Sequence, residues 1–333
     1  MKVTLAEIAQ EAGVSVTTVD RVLNDRTGVR ARTRDIVLEI ARRRGWFGPV
    51  EEEAAIRMDF VLPAGSNSFI ALLHQYLLEE ACNYGGIQPM VHVVDGLDPD
   101  HMALRLNSLA DKTDAVGLVT LDHPSVRAAI ENLSDNGVPV ASLVSDLPSL
   151  QKAGYIGIDN RSAGRLAGLL MGRFLHPDKT HNVVIVIGSL SYRGHEEREM
   201  GFKSILAQDF RNLTISEIVE VSDDRDRAYT EMRRILANNP PSAIYSVGSG
   251  NQGIGQALNE AGIYRDTVFI AHDLTGATKR MLLDGTVDAV IDQNPRVEAR
   301  EVVKLLASAV RGAAEPQYLP RLQVVFAENI PAL

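Results

Sequence analysis

Near the N-terminus, apolar residues recur three and four positions apart, as one face of a helix requires. Leu5, Ile8, Ala9 and Ala12 form the first such stripe. Thr4 and Glu7 have capping-box spacing at its start, and Gly13 supplies the left-handed stop. Ser15 is a cap for a second helix from Val16 that turns Val19, Val22 and Leu23 inward. Val16, Thr17, Thr18, Asp20 and Arg21 are left facing out. A third helix is predicted from about Arg32 to Arg44, with Ile36, Val37, Ile40 and Ala41 inward and Gly45 as its stop. Two short helices joined by a glycine turn have helix-turn-helix geometry, which offers the second helix to a DNA major groove.

Beyond Arg57 the pattern changes to short apolar runs. Predicted strands are Met58–Leu62, Met90–Val94, Ala115–Val119, Val138–Leu143, Tyr155–Ile158, Val183–Ile187, Ile215–Val221, Ala243–Val247, Val268–Ala271, Ala289–Ile291 and Gln323–Phe326. Helical patterns such as Phe69–Tyr84, Ser125–Asn136, Ser162–Leu175 and Arg296–Arg311 fill the gaps between them. Continuously apolar strands alternating with helices imply parallel sheets covered on both faces, and so many strands imply two doubly wound lobes. Ligands of such folds sit beyond the carboxyl ends of the strands. Those ends are rich in hydrogen-bonding side chains: Asn67, Asp122, Ser145, Asp146, Tyr192, Arg193, His195, Glu196, Asn251, Gln252, Asp273 and Gln293.

Charge sharpens the division. The chain has 333 residues and a net charge of −9. Residues 1–50 carry +3 and the remainder −12, so a small basic head precedes an acidic body. A single cysteine excludes an intrachain disulfide, and the polar N-terminus lacks a secretory h-region. No apolar run approaches a membrane span. The expected location is the cytoplasm, on the nucleoid. The histidines show no metal-ligand spacing, no nucleophile elbow appears, and no cofactor is expected.

Thr4-Leu5-Ala6-Glu7-Ile8-Ala9, Ala12-Gly13-Val14-Ser15, Thr18-Val19, Arg21-Val22-Leu23-Asn24 and Gly28-Val29 closely resemble the headpiece of the LacI/GalR (lactose-repressor) family of bacterial regulators. The resemblance implies base reading by Val16, Thr17 and Arg21. It implies phosphate-contacting or capping roles for Thr4, Ser15, Thr18, Asn24 and Thr33. Arg30 stands where the family has a cap residue, and is expected to reach phosphate. Asp20 replaces the usual serine; it is either an acceptor for cytosine or a charge partner for a neighbouring arginine. The family's Ala-Arg-x-Leu hinge is missing. Glu51-Glu52-Glu53 stand in the linker instead, so insertion of a leucine into the minor groove is not expected.

The body resembles the family's effector domain, which is related to periplasmic sugar-binding proteins. The implied fold is α/β: an all-α helix-turn-helix headpiece (1–48), a linker (49–56) and a two-lobed, doubly wound parallel-sheet domain of the periplasmic-binding-protein type I kind (57–333). The first lobe is expected at about 57–160 and 293–318, the second at about 161–292 and 319–333. Asn67 and Phe69 match a polar contact and an aromatic platform, and Asp146 a first-lobe acid. The family's ligand arginine aligns with Glu196, which makes Arg193 or Arg198 the candidate. Asn251 stands where many relatives have Asp, while Asp273 and Gln293 match sugar-contacting positions. The two arginines leave room for a sugar acid or a phosphate. Implied partners are double-stranded operator DNA, a sugar, polyol or sugar acid as effector, and a second copy of the chain.

One competing motif stands out. Gly248-Ser249-Gly250-Asn251-Gln252-Gly253 is G-x-G-x-x-G after a strand, with Asp273 about twenty residues on, as in dinucleotide-binding units. An NAD-linked oxidoreductase is therefore the alternative, although the motif lies deep in the second lobe and behind a DNA-binding head. A transport binding protein and a regulator answering to another protein are the remaining alternatives.

Overall fold

The computed structural model describes residues 3–24, 26–44, 46, 54–95, 97–148, 150, 152–313 and 318–331. It separates into two compact units, Met1–Ala55 and Ile56–Leu333. Among the described residues, no helix is long and apolar enough to cross a membrane.

The first unit holds helices α1 (Leu5–Ala12), α2 (Val16–Leu23) and α3 (Ala31–Arg43). The Thr4 N–H and hydroxyl donate to the Glu7 carboxylate at 2.8 and 2.9 Å, and the Glu7 N–H donates back to Thr4 Oγ1. Gly13 turns left-handed at φ +64°, and Ser15 caps α2 by accepting from the Thr18 N–H at 3.2 Å. Ile8, Ala9, Val19, Val22, Val37, Ile40 and Ala41 form the core. Ile36, expected inward, is 42% exposed. It lies about 100° around α3 from Val37, beyond the stripe that two short helices can cover. Leu23 is only partly buried. Gly45 and the linker segment 49–53, with its three glutamates, lie outside the described residues.

The second unit opens with β1 (Ile56–Pro63), α4 (Ser68–Tyr84), β2 (Ile87–Val94), α5 (Pro99–Asn107), β3 (Ala115–Leu118), α6 (Pro124–Asp135), β4 (Val140–Leu143) and β5 (Gly154–Ile156). It continues with α7 (Asn160–Phe174), β6 (His181–Ile187), α8 (Arg193–Asp209), β7 (Leu213–Glu220), α9 (Arg225–Asn238), β8 (Ala243–Ser246) and α10 (Asn251–Ala261). The last elements are β9 (Val268–His272), α11 (Gly276–Leu283), β10 (Ala289–Asp292), α12 (Pro295–Val310) and β11 (Gln323–Val325).

The strands form two sheets, ordered β2-β1-β3-β4-β5 and β11-β10-β9-β8-β6-β7. The first is parallel throughout, and fully buried β3 and β4 explain its continuously apolar runs. The second is parallel except for β11, which pairs antiparallel with β10 against expectation. β11 arrives from the first lobe rather than through a helical crossover on its own sheet, so no βαβ handedness fixes its direction. Pro89 is tolerated in β2 because that strand is an edge. Helix α12 packs on α4 and the first sheet, with Ala299, Val302 and Leu306 in that core. The chain thus passes between lobes after β5, after β10 and after α12. In each sheet the order reverses beside its first strand, at β1/β3 and at β6/β8, where crevices open.

Candidate functional site

A cavity of about 160 Å³ lies between the lobes at those switch points. Pro63–Asn67 reach it from the end of β1, Val119 from β3, and Val144 and Ser145 from β4. Across the cleft stand Ser189, Tyr192, His195 and Arg198 after β6, Ser222–Asp224 after β7, Gly248 after β8, Asp273 after β9 and Gln293 after β10. Phe69 and Tyr192 supply aromatic walls; Phe69 is 4% exposed and belongs to the first-lobe core as well. Hydrogen bonds join the lobes beside the cavity: Asn67 Nδ2 to Asp223 Oδ2 at 3.4 Å, the Gly194 N–H to Ser145 Oγ at 3.1 Å, and Asn160 Nδ2, at the start of α7, to the Val144 carbonyl at 3.1 Å.

Buried polar groups beneath the cavity are tied together. Arg198 is 2% exposed and donates to Asn160 Oδ1 at 2.7 Å, the Val247 carbonyl at 2.9 Å and Gln293 Oε1 at 3.3 Å. Gln293 Nε2 donates to Asp273 Oδ1 at 2.7 Å. Asp273 itself has φ +67°, a strained value for a residue with a Cβ. Burial raises its pKa to about 7, although Arg198 and Gln293 act in the opposite direction. Glu298 is wholly buried on α12 with no partner for either oxygen, and burial holds its carboxyl well above the usual range. Burial also holds His195 and His272 below the usual histidine range, hence neutral near pH 7.

Of the residues expected at the ligand, Asn67, Phe69, Arg198, Asp273 and Gln293 line this cavity. Four others do not. Asp122 is gripped in bidentate fashion by Arg127 at 2.6 and 2.8 Å. Asp146 is held by Lys152 and Ser142, and Arg193 pairs along α8 with Glu197 at 3.0 Å. Glu196 is exposed on the first turn of α8. A two-residue offset, about half a helical turn, explains the difference, since Arg198 lies on the buried side of α8 and Glu196 on the other. Asn251 lines an adjoining cavity of about 240 Å³, which shares Ser66, Asn67, Phe69, Gly248 and Asp273 with the first.

Sequence reading missed Asp223 and Asp224, which follow β7, and also Ser189; it places Ser145 and Tyr192 at strand ends without making them ligand contacts. Extending the strand-end rule to β7 finds the aspartates; the others need the helix turns after β4 and β6 to be placed. Asp159 caps α7, accepting from the Ser162 N–H at 2.9 Å.

The G-x-G-x-x-G glycines have packing reasons. A Cβ at Gly248 would sit 2.6 Å from Asp223 Oδ1, Gly250 has φ +99°, and a Cβ at Gly253 would collide with the Arg225 carbonyl. The Ser249 N–H, which a pyrophosphate would need, donates instead to Asp223 at 2.7 Å. A carboxylate therefore occupies the place of the dinucleotide phosphate, and the oxidoreductase reading finds no support.

In the first unit, Val16 (47% exposed), Thr17 and Arg21 share the outer face of α2. The Ser15 and Thr18 hydroxyls hydrogen-bond each other at 2.9 Å. Asp20 takes the charge-partner role: Arg26 donates to it at 3.3 Å and Asn24 Nδ2 at 2.8 Å. Arg30 is exposed and Thr33 partly so.

Residues 58–314 match the model of the periplasmic binding protein domain, and residues 4–46 that of bacterial regulatory proteins, lacI family. The HTH-type transcriptional regulator DegA of Bacillus subtilis (strain 168) is 25% identical over 74% of this chain and 73% of its own. Catabolite control protein A of Priestia megaterium is 26% identical over 77% of this chain and 76% of its own. Among solved structures, GanP, a glucose-galactose binding protein from Geobacillus stearothermophilus, superposes with a TM-score of 0.74 at 23% identity, over 83% of this chain and 99% of that one. A solute binding protein from Burkholderia graminis C4D1M in complex with D-arabinose gives 0.77 at 22% identity, over 83% and 97%.

Proposed function

This chain belongs to the LacI family of bacterial transcriptional regulators, with a lacI-type head and a periplasmic-binding-protein domain, and on that premise we propose that it is a repressor controlled by a sugar or sugar derivative. The observation that carries the reading is the inter-lobe cavity, built from strand ends of both sheets and walled by Phe69 and Tyr192. A polar ligand there touches both lobes at once, so its binding energy favours the closed arrangement. Asn67, Arg198, Asp273 and Gln293 are the proposed contacts, with Asn251 reached from the adjoining cavity. The sugar assignment draws support from GanP and from the arabinose complex, which share this fold.

At the head, Arg21 pairs with guanine while Val16 and Thr17 meet base edges in the major groove. Thr4, Ser15, Thr18, Arg30 and Thr33 lie toward phosphates. Asn24 serves mainly to hold Asp20. Two heads read a two-fold operator, so the working form is a homodimer in the cytoplasm, associated with the nucleoid. Domain limits at about residues 48 and 57, and lobes exchanging chain near 160, 293 and 318, complete the organisation. Ligand acts through unequal affinity for the DNA-bound and free states.

The test has two arms on the full chain. Operator sequences are selected from a randomised duplex pool, and thermal unfolding is followed against a panel of sugars and polyols. Saturation at a hundred times Kd should stabilise the fold by about 2.7 kcal/mol, and the same compound should change operator affinity. A compound that stabilises the protein but leaves operator affinity untouched would remove the regulatory link.

A further inference from the structure

The charged groups around the cavity constrain the effector beyond a general sugar. Asp95, Asp223, Asp224 and Asp273 line it, whereas Arg198 is the only arginine or lysine among its described lining residues. Three of the five Arg198 N–H groups already go to protein acceptors, which leaves two for a ligand. Arg193, which left room for a sugar acid, is paired with Glu197 away from the cavity. Arg225 on the rim of the adjoining cavity is exposed and turned to Gln256 at 3.3 Å. Among the described lining residues of the first cavity, an anionic ligand would therefore meet four carboxyl groups against one guanidinium.

The unused polar atoms agree with the charge. Asp273, 8% exposed at the junction of the two cavities, accepts from Gln293 through Oδ1, and Oδ2 has no hydrogen bond among the described residues. Asn251 is 9% exposed and lines the adjoining cavity, and its Oδ1 is buried without a partner among the described residues. His272 Nδ1, from a residue lining the same cavity, is also unpartnered. Two of these three atoms can only accept. Arg198 reaches Asp273 only through Gln293, so this buried carboxylate has no direct ion pair, and an ammonium supplies both the charge and three donors.

We propose that the effector bears a primary ammonium beside its hydroxyls, as an amino sugar or amino polyol does, and that Asp273 receives the ammonium where the two cavities meet. The inference rests on the cavity being the effector site. The remaining hydroxyls face Asn67, Ser145, Ser189 and Asp223, with Phe69 and Tyr192 against the apolar ring face. An ammonium near these rings also gains cation–π attraction.

The experiment is calorimetric titration of the full chain at pH 7, where the hexosamine amines stay mostly protonated, with the aminoglucitol pair repeated at pH 8, where Asp273 is ionised. Probes are D-glucosamine, D-galactosamine and 1-amino-1-deoxy-D-glucitol, each beside its hydroxyl parent, with D-glucuronate and D-galacturonate as acids. At least one amine should bind about tenfold or more tightly than its parent, with no binding of the acids. Asp273→Asn should abolish that preference, while Asn251→Asp should widen it; thermal unfolding of each variant verifies its fold. Equal binding of an amine and its parent, or tighter binding of an acid, would overturn the inference and leave the sugar-responsive regulator standing. Binding by none of the amines or parents would count against both.

Discussion

Asp20 shows how one side chain changes meaning once its neighbours are known. An acid on a DNA-facing helix repels phosphate, yet here Arg26 and Asn24 hold it. Asp20→Asn should release Arg26 toward DNA, tightening non-specific binding and steepening the salt dependence by about one phosphate contact. Fluorescence anisotropy across a salt series measures this. Arg21→Ala should instead cost about 1–3 kcal/mol at the selected operator and relax its specificity; unchanged operator affinity would remove Arg21 from base reading. Asp273 carries the pH prediction. Its folded pKa of about 7 exceeds the unfolded value, so the native state holds the extra proton between about pH 4 and 7. Its contribution to stability therefore falls as pH rises through that window. Asn mimics the protonated acid, so the stability of Asp273→Asn relative to the parent should be greater at pH 8 than at pH 5 by thermal unfolding without ligand. A pH-independent difference would show that burial does not perturb Asp273.

Helices α7 and α8 decide where Arg198 goes. Gly164, Gly168 and Gly172 repeat every fourth residue along one face of α7, and Gly201 answers from α8. A Cβ at Gly164 would strike the Arg198 carbonyl, and one at Gly201 the Arg161 carbonyl. The close approach carries Asn160 to Arg198 Nε at 2.7 Å and fixes the guanidinium under the cavity. Gly164→Ala should destabilise the fold by about 1–3 kcal/mol in chemical denaturation and weaken the ligand response with it. A variant of parental stability would mean that the helices can separate freely. The first helix is simpler, because its capping box depends on residues three apart and was legible in Thr4-x-x-Glu7.

For the whole effector domain, the lobes are joined by three chain crossings and by the Asn67–Asp223, Gly194–Ser145 and Asn160–Val144 hydrogen bonds. The crossings permit lobe rotation, and the hydrogen bonds bias it toward closure. Ser145→Ala removes the acceptor of the Gly194 N–H in the first turn of α8. It should lower the closed population, raising the radius of gyration in small-angle scattering and reducing apparent ligand affinity in proportion. A ligand-free scattering profile identical to the parent would show that this bond does not hold the lobes.

The sequence by itself determined the three-helix head, the alternation of strands and helices, and the strand-end location of the cavity. Each depends on periodicity, capping or turn chemistry, which act over a few residues. It also carried Asn67, Phe69, Asp273 and Gln293, because a strand end is a local signal with a predictable direction. Only tertiary structure decided the rest. It chose Arg198 over Arg193 and Glu196, since which side of α8 is buried depends on the glycine contacts with α7. It gave β11 its antiparallel direction, brought Asp223 in from β7, and assigned the G-x-G-x-x-G glycines to packing. These outcomes depend on residues distant in sequence meeting in space, and pairing partners that far apart leave no period along the chain.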